Sequence, residues 1–233
     1  MRIAILTIYL LSAFLTSAHA GVSIGGTRVI FDGHKKEASL IVFSSEDDTY
    51  PYLIQSFIDN KGEKGDISNN TRPPFIITPP LFRLEPGKEN SLRIIKTAET
   101  LPDDRESVFW INVKAIPGSD KNADTENTLK LVLKNRVKLF YRPSGIMKRD
   151  ADTFSKVTFS RQGSAVIVSN PTPYFISFNS LRVGGKTVDT SFVMVPPKGQ
   201  ARYLLPDGVS GNDVSWSYIT DYGNASGSLS GRM

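Results

Sequence analysis

One segment limits the fold more than any other: residues 128–143, TLKLVLKNRVKLFYRP. Leu129, Leu131, Leu133, Val137, Leu139 and Tyr141 share one parity, while Lys130, Lys134, Arg136, Lys138 and Arg142 share the other. Residues two apart on a strand face the same way, so 128–141 reads as one long strand with an apolar and a cationic face. Strands usually run to roughly 5–6 residues. This one is expected to extend past the sheet that begins it and to offer its apolar edge to a partner chain. The competing reading is an ordinary amphipathic strand over its own core.

The N-terminus carries a different pattern. Met1 and Arg2 precede an apolar run at 3–15 and the small-residue pattern Ala18-His19-Ala20. That is the order of a secretory signal, with cleavage expected after Ala20. The run is too short for a bilayer, which takes roughly 20 residues. No second long apolar run follows, so a soluble mature chain is expected. Residues 21–233 suit two domains, since domains cluster near roughly 100–150 residues. The sequence has no cysteine. An exported chain of this kind must be held by its cores alone, and thiol catalysis and cysteine-ligated zinc are excluded.

Charge and chemistry narrow the function. The formal charge is +5, and loss of Arg2 leaves +4. The cations alternate with apolar residues and form no aromatic-studded basic block, which argues against nucleic acid as a partner. A mildly basic exported chain more naturally meets carboxylates. Of two histidines, His19 leaves with the signal and His34 stands alone beside Gly33 in a turn. A Ser-His-Asp arrangement would have to use it, and no nucleophile-elbow pattern is present. Glu46-Asp47-Asp48 and Asp103-Asp104 lack the spaced oxygen ligands of a calcium loop. No glycine-rich phosphate cradle occurs. No enzyme, metal or cofactor is expected.

Short apolar or alternating runs recur along the chain, at 22–31, 38–43, 52–58, 75–77, 91–95 and 108–113, before the long strand. Others follow at 157–159, 165–168, 174–181, 192–195, 201–205 and 214–219. Gly, Pro and Asn turns punctuate them, and no helical period competes. The pattern predicts an all-β chain of two sandwiches, 21–145 and 146–233, after the signal at 1–20.

Six stretches together resemble the periplasmic pilus (fimbrial) chaperones of the chaperone–usher pathway, the PapD-like family. They are TRVIFDG at 27–33, TPPLFRLEPG at 78–87, DDRESVFWINV at 103–113, VKLFYRP at 137–143, NPTPY at 170–174 and TDYG at 220–223. The resemblance implies two immunoglobulin-like sandwiches set as a boomerang around a cleft. It implies that Arg28 and Lys138 bind the C-terminal carboxylate of a pilus subunit. It also implies that Leu129, Leu131 and Leu133 fill the subunit's open groove, and that Glu106, Arg142 and Asp221 form a charged bridge between the domains. The expected partners are pilus subunits and an outer-membrane usher. Self-association of the free protein through its strand edge is left open. The expected location is the Gram-negative periplasm. The short loop at 117–127, with no flanking cysteine pair, resembles the short-loop branch of the family. Two other classes compete with this reading: an exported adhesive or structural pilus component, and an exported β-sandwich enzyme.

Overall fold

The computed structural model describes residues 21–66, 71–97, 100–119, 131–146, 149–150 and 152–233. The expected signal at 1–20 and Leu129 lie outside them, as does most of the 117–127 loop. Sixteen strands are formed among the described residues, and the only helical pieces there are 3-10 turns at Ser144–Ile146 and Thr153–Lys156. No helix among them is long and apolar enough to cross a membrane.

The first sandwich packs a four-stranded sheet on a five-stranded one. The four-stranded sheet holds β1 (Val22–Ile24), β3 (Glu37–Ser44), β7 (Glu89–Lys96) and β5 (Phe75–Thr78), in that order. The five-stranded sheet runs β2 (Arg28–Asp32), β9 (Leu133–Arg142), β8 (Ser107–Pro117), β4 (Tyr52–Asp59) and β6 (Leu81–Leu84). The sequence pattern suggests one extended stretch at 22–31. The chain in fact divides it between the two sheets, with Gly25 and Gly26 at the crossing. Gly25 donates its backbone N–H to the Ile41 carbonyl at 2.9 Å, and Arg28 then starts the pairing with β9.

Alternation explains the core. Val29 and Phe31 of β2, Phe109, Ile111 and Val113 of β8, and Val137, Leu139 and Tyr141 of β9 point between the sheets and are buried. Phe75 from the opposite sheet meets Phe31 and Phe109 edge-on at centroid distances of 5.3 and 5.1 Å, a favoured aromatic geometry.

The second sandwich packs β10 (Thr158–Gln162), β11 (Ala165–Asn170) and β14 (Gly199–Leu204) against a second sheet. That sheet holds β13 (Lys186–Thr187), β12 (Phe178–Val183), β15 (Asp213–Tyr218) and β16 (Leu229–Arg232). Val166, Val168, Leu181, Val183 and Trp216 are among its buried residues. The run at 192–195 is not a strand, contrary to its apolar pattern. Phe192 has φ 60°, and only Val195 makes an isolated bridge, to Ile176. A left-handed residue breaks the extended geometry that a ladder needs.

The long strand is shorter than its alternation suggests. β9 begins at Leu133, whose partner Ala115 closes the ladder with β8. Leu131 and Val132 lie beyond that last rung and outside the strand. Alternation continues in the sequence, but among the described residues no backbone pairs with 131–132 to hold them as sheet.

Candidate functional site

β9 sits between two neighbours of unequal length. β8 pairs with it from Leu133 to Tyr141, whereas β2 pairs only from Lys138 to Arg142. On the β2 side, residues 133–137 therefore have no partner strand among the described residues. The backbone groups along that edge are free to form a ladder with another chain. The apolar parity runs on past the core at this same end. Val137 is 4% exposed, but Leu133 and Leu131 are 57% and 68% exposed. Leucine side chains thus continue the core-facing line into open space.

Arg28 and Lys138 mark where the open edge stops. They are direct partners in the parallel β2–β9 pairing, so their side chains leave the same face of the sheet, toward the second sandwich. Arg28 donates from Nη1 to the Ile219 carbonyl at 3.1 Å and lies 5.6 Å from the Phe140 ring centroid. Its Nε has no hydrogen-bond partner, and among the described residues Arg28 forms no ion pair. Burial pushes its pKa down, against the pull of Asp221. Arg28 is thus a half-buried cation without a carboxylate of its own. Lys138 differs, because its Nζ lies 2.6 Å from Glu63 Oε1.

Of the other cations of β9, Lys134 is exposed, while Arg136 and Arg142 are paired. Arg136 binds both Asp59 oxygens, at 3.0 and 3.1 Å, and donates to the Gly62 carbonyl at 2.6 Å. What alternation presents as a cationic face is largely a row of ion pairs that faces the second sandwich.

Arg142 ends that row in the interface. Its Nε donates to Glu106 Oε1 at 2.9 Å, and Nη1 and Nη2 donate to the two Asp221 oxygens at 2.8 and 3.0 Å. Its side chain is 5% exposed, and that of Glu106 is 3%. Two local structures place the partners. In NPTPY, Asn170 Nδ2 donates to the Tyr174 and Pro196 carbonyls, while its Oδ1 accepts from the Thr172 N–H and hydroxyl. That closed turn presents the Pro173 carbonyl to the Glu106 N–H at 2.8 Å, and the Phe175 N–H to Glu106 Oε2 at 2.8 Å. In TDYG, Gly223 at φ 86° turns the chain after Asp221, and a Cβ there would fall 2.7 Å from Thr27 Oγ1.

Burial dominates the Glu106 carboxyl and raises its pKa despite Arg142. Burial also pushes Asp221 up. Its bidentate bond to Arg142 and the charges of Arg142, Arg149 and Arg28 outweigh that and hold it below its ordinary 3.8. A depressed carboxylate adds stability above its unfolded value, and that stability is lost as pH falls through the folded value. Asp221→Asn is therefore expected to cost about 1–2 kcal/mol at pH 7. The gap from wild type should close as the pH drops below 3.8. Urea melts at pH 7 and in acid measure this, and a gap that does not change with pH would contradict it.

Sequence reading names Arg28, Lys138, Leu131, Leu133, Glu106, Arg142 and Asp221, and all of them lie along β9 or at its interface. It misses Arg149, which pairs with Asp221 at 3.0 Å, and it misses Glu63. Arg136 was visible in the alternation, but its partner Asp59 was not. Neither Glu63 nor Arg149 has a periodic or motif signal, because loops carry both.

Comparison with known proteins agrees with this architecture. The family described as "Pili and flagellar-assembly chaperone, PapD N-terminal domain" matches residues 21–147, and "Pili assembly chaperone PapD, C-terminal domain" matches residues 152–228. The chain is 43% identical over 215 residues to the chaperone protein LpfB of Salmonella typhimurium, covering 91% of this chain and 89% of that one. It resembles the crystal structure of the periplasmic chaperone SfaE, with TM-score 0.74 and 36% identity over 91% of this chain and all of that one. It also resembles a structure of the Salmonella enterica SafA pilin in complex with the SafB chaperone, with TM-score 0.79 and 30% identity over 94% of this chain and 98% of that one. These relatives are chaperones and not enzymes. The chain belongs to the PapD family of pilus-assembly chaperones.

Proposed function

We propose that this chaperone captures pilus subunits by lending them the open edge of β9 and by holding their C-terminal carboxylate between Arg28 and Lys138. The observation that carries the reading is the β2-side edge of 133–137, which has no partner strand among the described residues, with Leu131 and Leu133 exposed on the core-facing parity. A subunit lacking one strand of its own sandwich would receive here both a backbone partner and side chains for its groove, as in chaperone–pilin strand addition. Direction follows from β2. An added strand that runs parallel to β9 along residues 133–137 has its C-terminal end at Lys138. There Arg28 already occupies the next lattice position, so the added chain must end. A chain end carries a carboxylate, and the two cations meet it with charge-assisted hydrogen bonds. Fixing that end fixes the register of everything upstream. Leu129 belongs to the same line of groove-filling residues.

On this reading Glu106, Arg142 and Asp221 hold the angle between domains 21–145 and 146–233. Residues 1–20 are a cleaved signal, and the chain works in the periplasm, the compartment printed for the similar SfaE chaperone. It hands its subunits to an outer-membrane usher. Before loading, the edge of β9 is open to a second copy.

The test is retention of a co-expressed pilus subunit in periplasmic pull-down. Arg28→Ala and Lys138→Ala are each expected to lower retention by about 10- to 100-fold, the loss of one charged hydrogen bond of roughly 1.5–3 kcal/mol. Melting of the free protein should fall only slightly, since Arg28 gives up one bond to the Ile219 carbonyl and Lys138 one part-exposed ion pair. Full retention by the double variant would remove the carboxylate site from the mechanism.

A further inference from the structure

We propose that Glu63 is an internal stand-in for the client's chain-end carboxylate, seated on Lys138 until a client displaces it; this rests on the reading of Arg28 and Lys138 as a carboxylate site.

The argument begins with the loop that follows β4. Residues 60–66 fold around the Arg136 guanidinium. Arg136 grips Asp59 at the loop's start and the Gly62 carbonyl within it. Gly65 passes so close that a Cβ would lie 2.5 Å from Arg136 Nη1, and its φ of 77° suits glycine. Lys64 is set over the Phe192 ring, 5.2 Å from its centroid. These anchors hold the loop without Glu63. The Glu63 side chain is thereby left to one task, the 2.6 Å pair with Lys138 Nζ.

The chemistry is that of the proposed ligand. A glutamate side chain and a chain end present the same carboxylate, and two such anions drawn to one ammonium repel each other. The pair is reachable from outside, with the lysine 18% and the glutamate 22% exposed. It opens on a cavity of about 430 Å³ walled by Trp110 and Phe192. Arg28 beside it ion-pairs with no carboxylate among the described residues. The site is therefore half filled. An incoming chain end meets Arg28 bonded only to the Ile219 carbonyl and competes with Glu63 for Lys138. Exchange leaves the lysine paired throughout, which avoids an isolated buried charge. The competition lowers apparent affinity by the fraction of molecules in which Lys138 is already taken. A capture protein that must later let go of its client gains from such a competitor, since Glu63 can retake Lys138 as the client's end leaves.

The experiment uses the mature chain and two probes. One is an N-acetylated heptapeptide of alternating valine and threonine with a free C-terminal carboxylate, and the other is its C-terminal amide. Binding is read by NMR from the backbone amides of Arg28 and Lys138. Glu63→Gln and Glu63→Ala are both expected to bind the free acid about fivefold tighter than wild type does, with the amide unchanged. An acid preference that appears only in the variants supports the inference equally. If wild type prefers the acid and neither variant gains, the stand-in role is overturned while the carboxylate site stands. If the acid has no advantage in any of the three proteins, the carboxylate site itself falls, and the stand-in with it.

Discussion

Arg142→Ala is expected to destabilise the chain by about 3–5 kcal/mol, a cost typical of removing one partner from a buried ion pair. The cause would lie in what remains. Glu106 would keep its carboxylate in a site where it is 3% exposed, with the Phe175 N–H as its remaining hydrogen bond and no ion pair among the described residues. Asp221 would lose its bidentate partner but keep Arg149. The Tyr174 ring would lose the guanidinium now 5.1 Å from its centroid. The second replacement discriminates. In Arg142→Met combined with Glu106→Leu, no charge is stranded, and much of the loss should be recovered. Urea unfolding of the three proteins, with each sandwich followed separately because two domains need not melt as one, measures the effect. A single variant within 0.5 kcal/mol of wild type, the range of ordinary surface changes, would show that the cluster does not stabilise the interface.

That cluster also shows what the sequence could and could not display. Parity put Arg142 on the same side as Lys138, and the family resemblance carried by NPTPY and TDYG pointed to Asp221 as its partner. The strands of both cores were legible because burial on one face writes itself as alternation: Val137, Leu139 and Tyr141 carry the signal in sequence and are buried in the fold. Three kinds of feature were not legible. The split of 22–31 between two sheets shows in sequence only as a parity switch across Gly25 and Gly26, from Val22 and Ile24 to Val29 and Phe31. The run at 192–195 looks like a strand because its residues are apolar, but Phe192 reaches Lys64 of the first sandwich while Val195 packs into the core of the second. The ion pair of Lys138 depends on a loop, and loops have no period, while that of Arg136 joins two strands, β9 and β4, whose neighbourhood the sequence does not show. Alternation presented a cationic face, whereas the fold gives Arg136, Lys138 and Arg142 a carboxylate each and leaves Arg28 without one.

The same strand supplies the sharpest contrast in the molecule. Leu131 and Val137 share a parity, six residues apart, yet Leu131 is 68% exposed and Val137 is 4% exposed. Val137→Asp should unfold the first sandwich, because it places an unpaired carboxylate against Ile111 and its neighbours between two sheets. Leu131→Asp should leave the free protein's stability within about 0.5 kcal/mol of wild type, since water already surrounds most of that side chain. Its effect belongs to the complex. If strand addition is correct, Leu131 enters the subunit's apolar groove, where full burial of a leucine contributes about 1.5–3 kcal/mol. An aspartate there forfeits that and adds the cost of an unpaired charge. The combined loss corresponds to a fall in subunit retention of about 100-fold or more. Leu131→Ala should fall between, losing the burial alone. Thermal melts of the purified variants, run beside pull-down of a co-expressed subunit, separate the cases. A Leu131→Asp protein that melts like wild type and loses its subunit places the side chain in the client. One that melts far below wild type places it in this chain's own core. One that melts like wild type and still retains its subunit removes the leucine from the mechanism, and the open backbone edge at 133–137 would then have to hold the client alone.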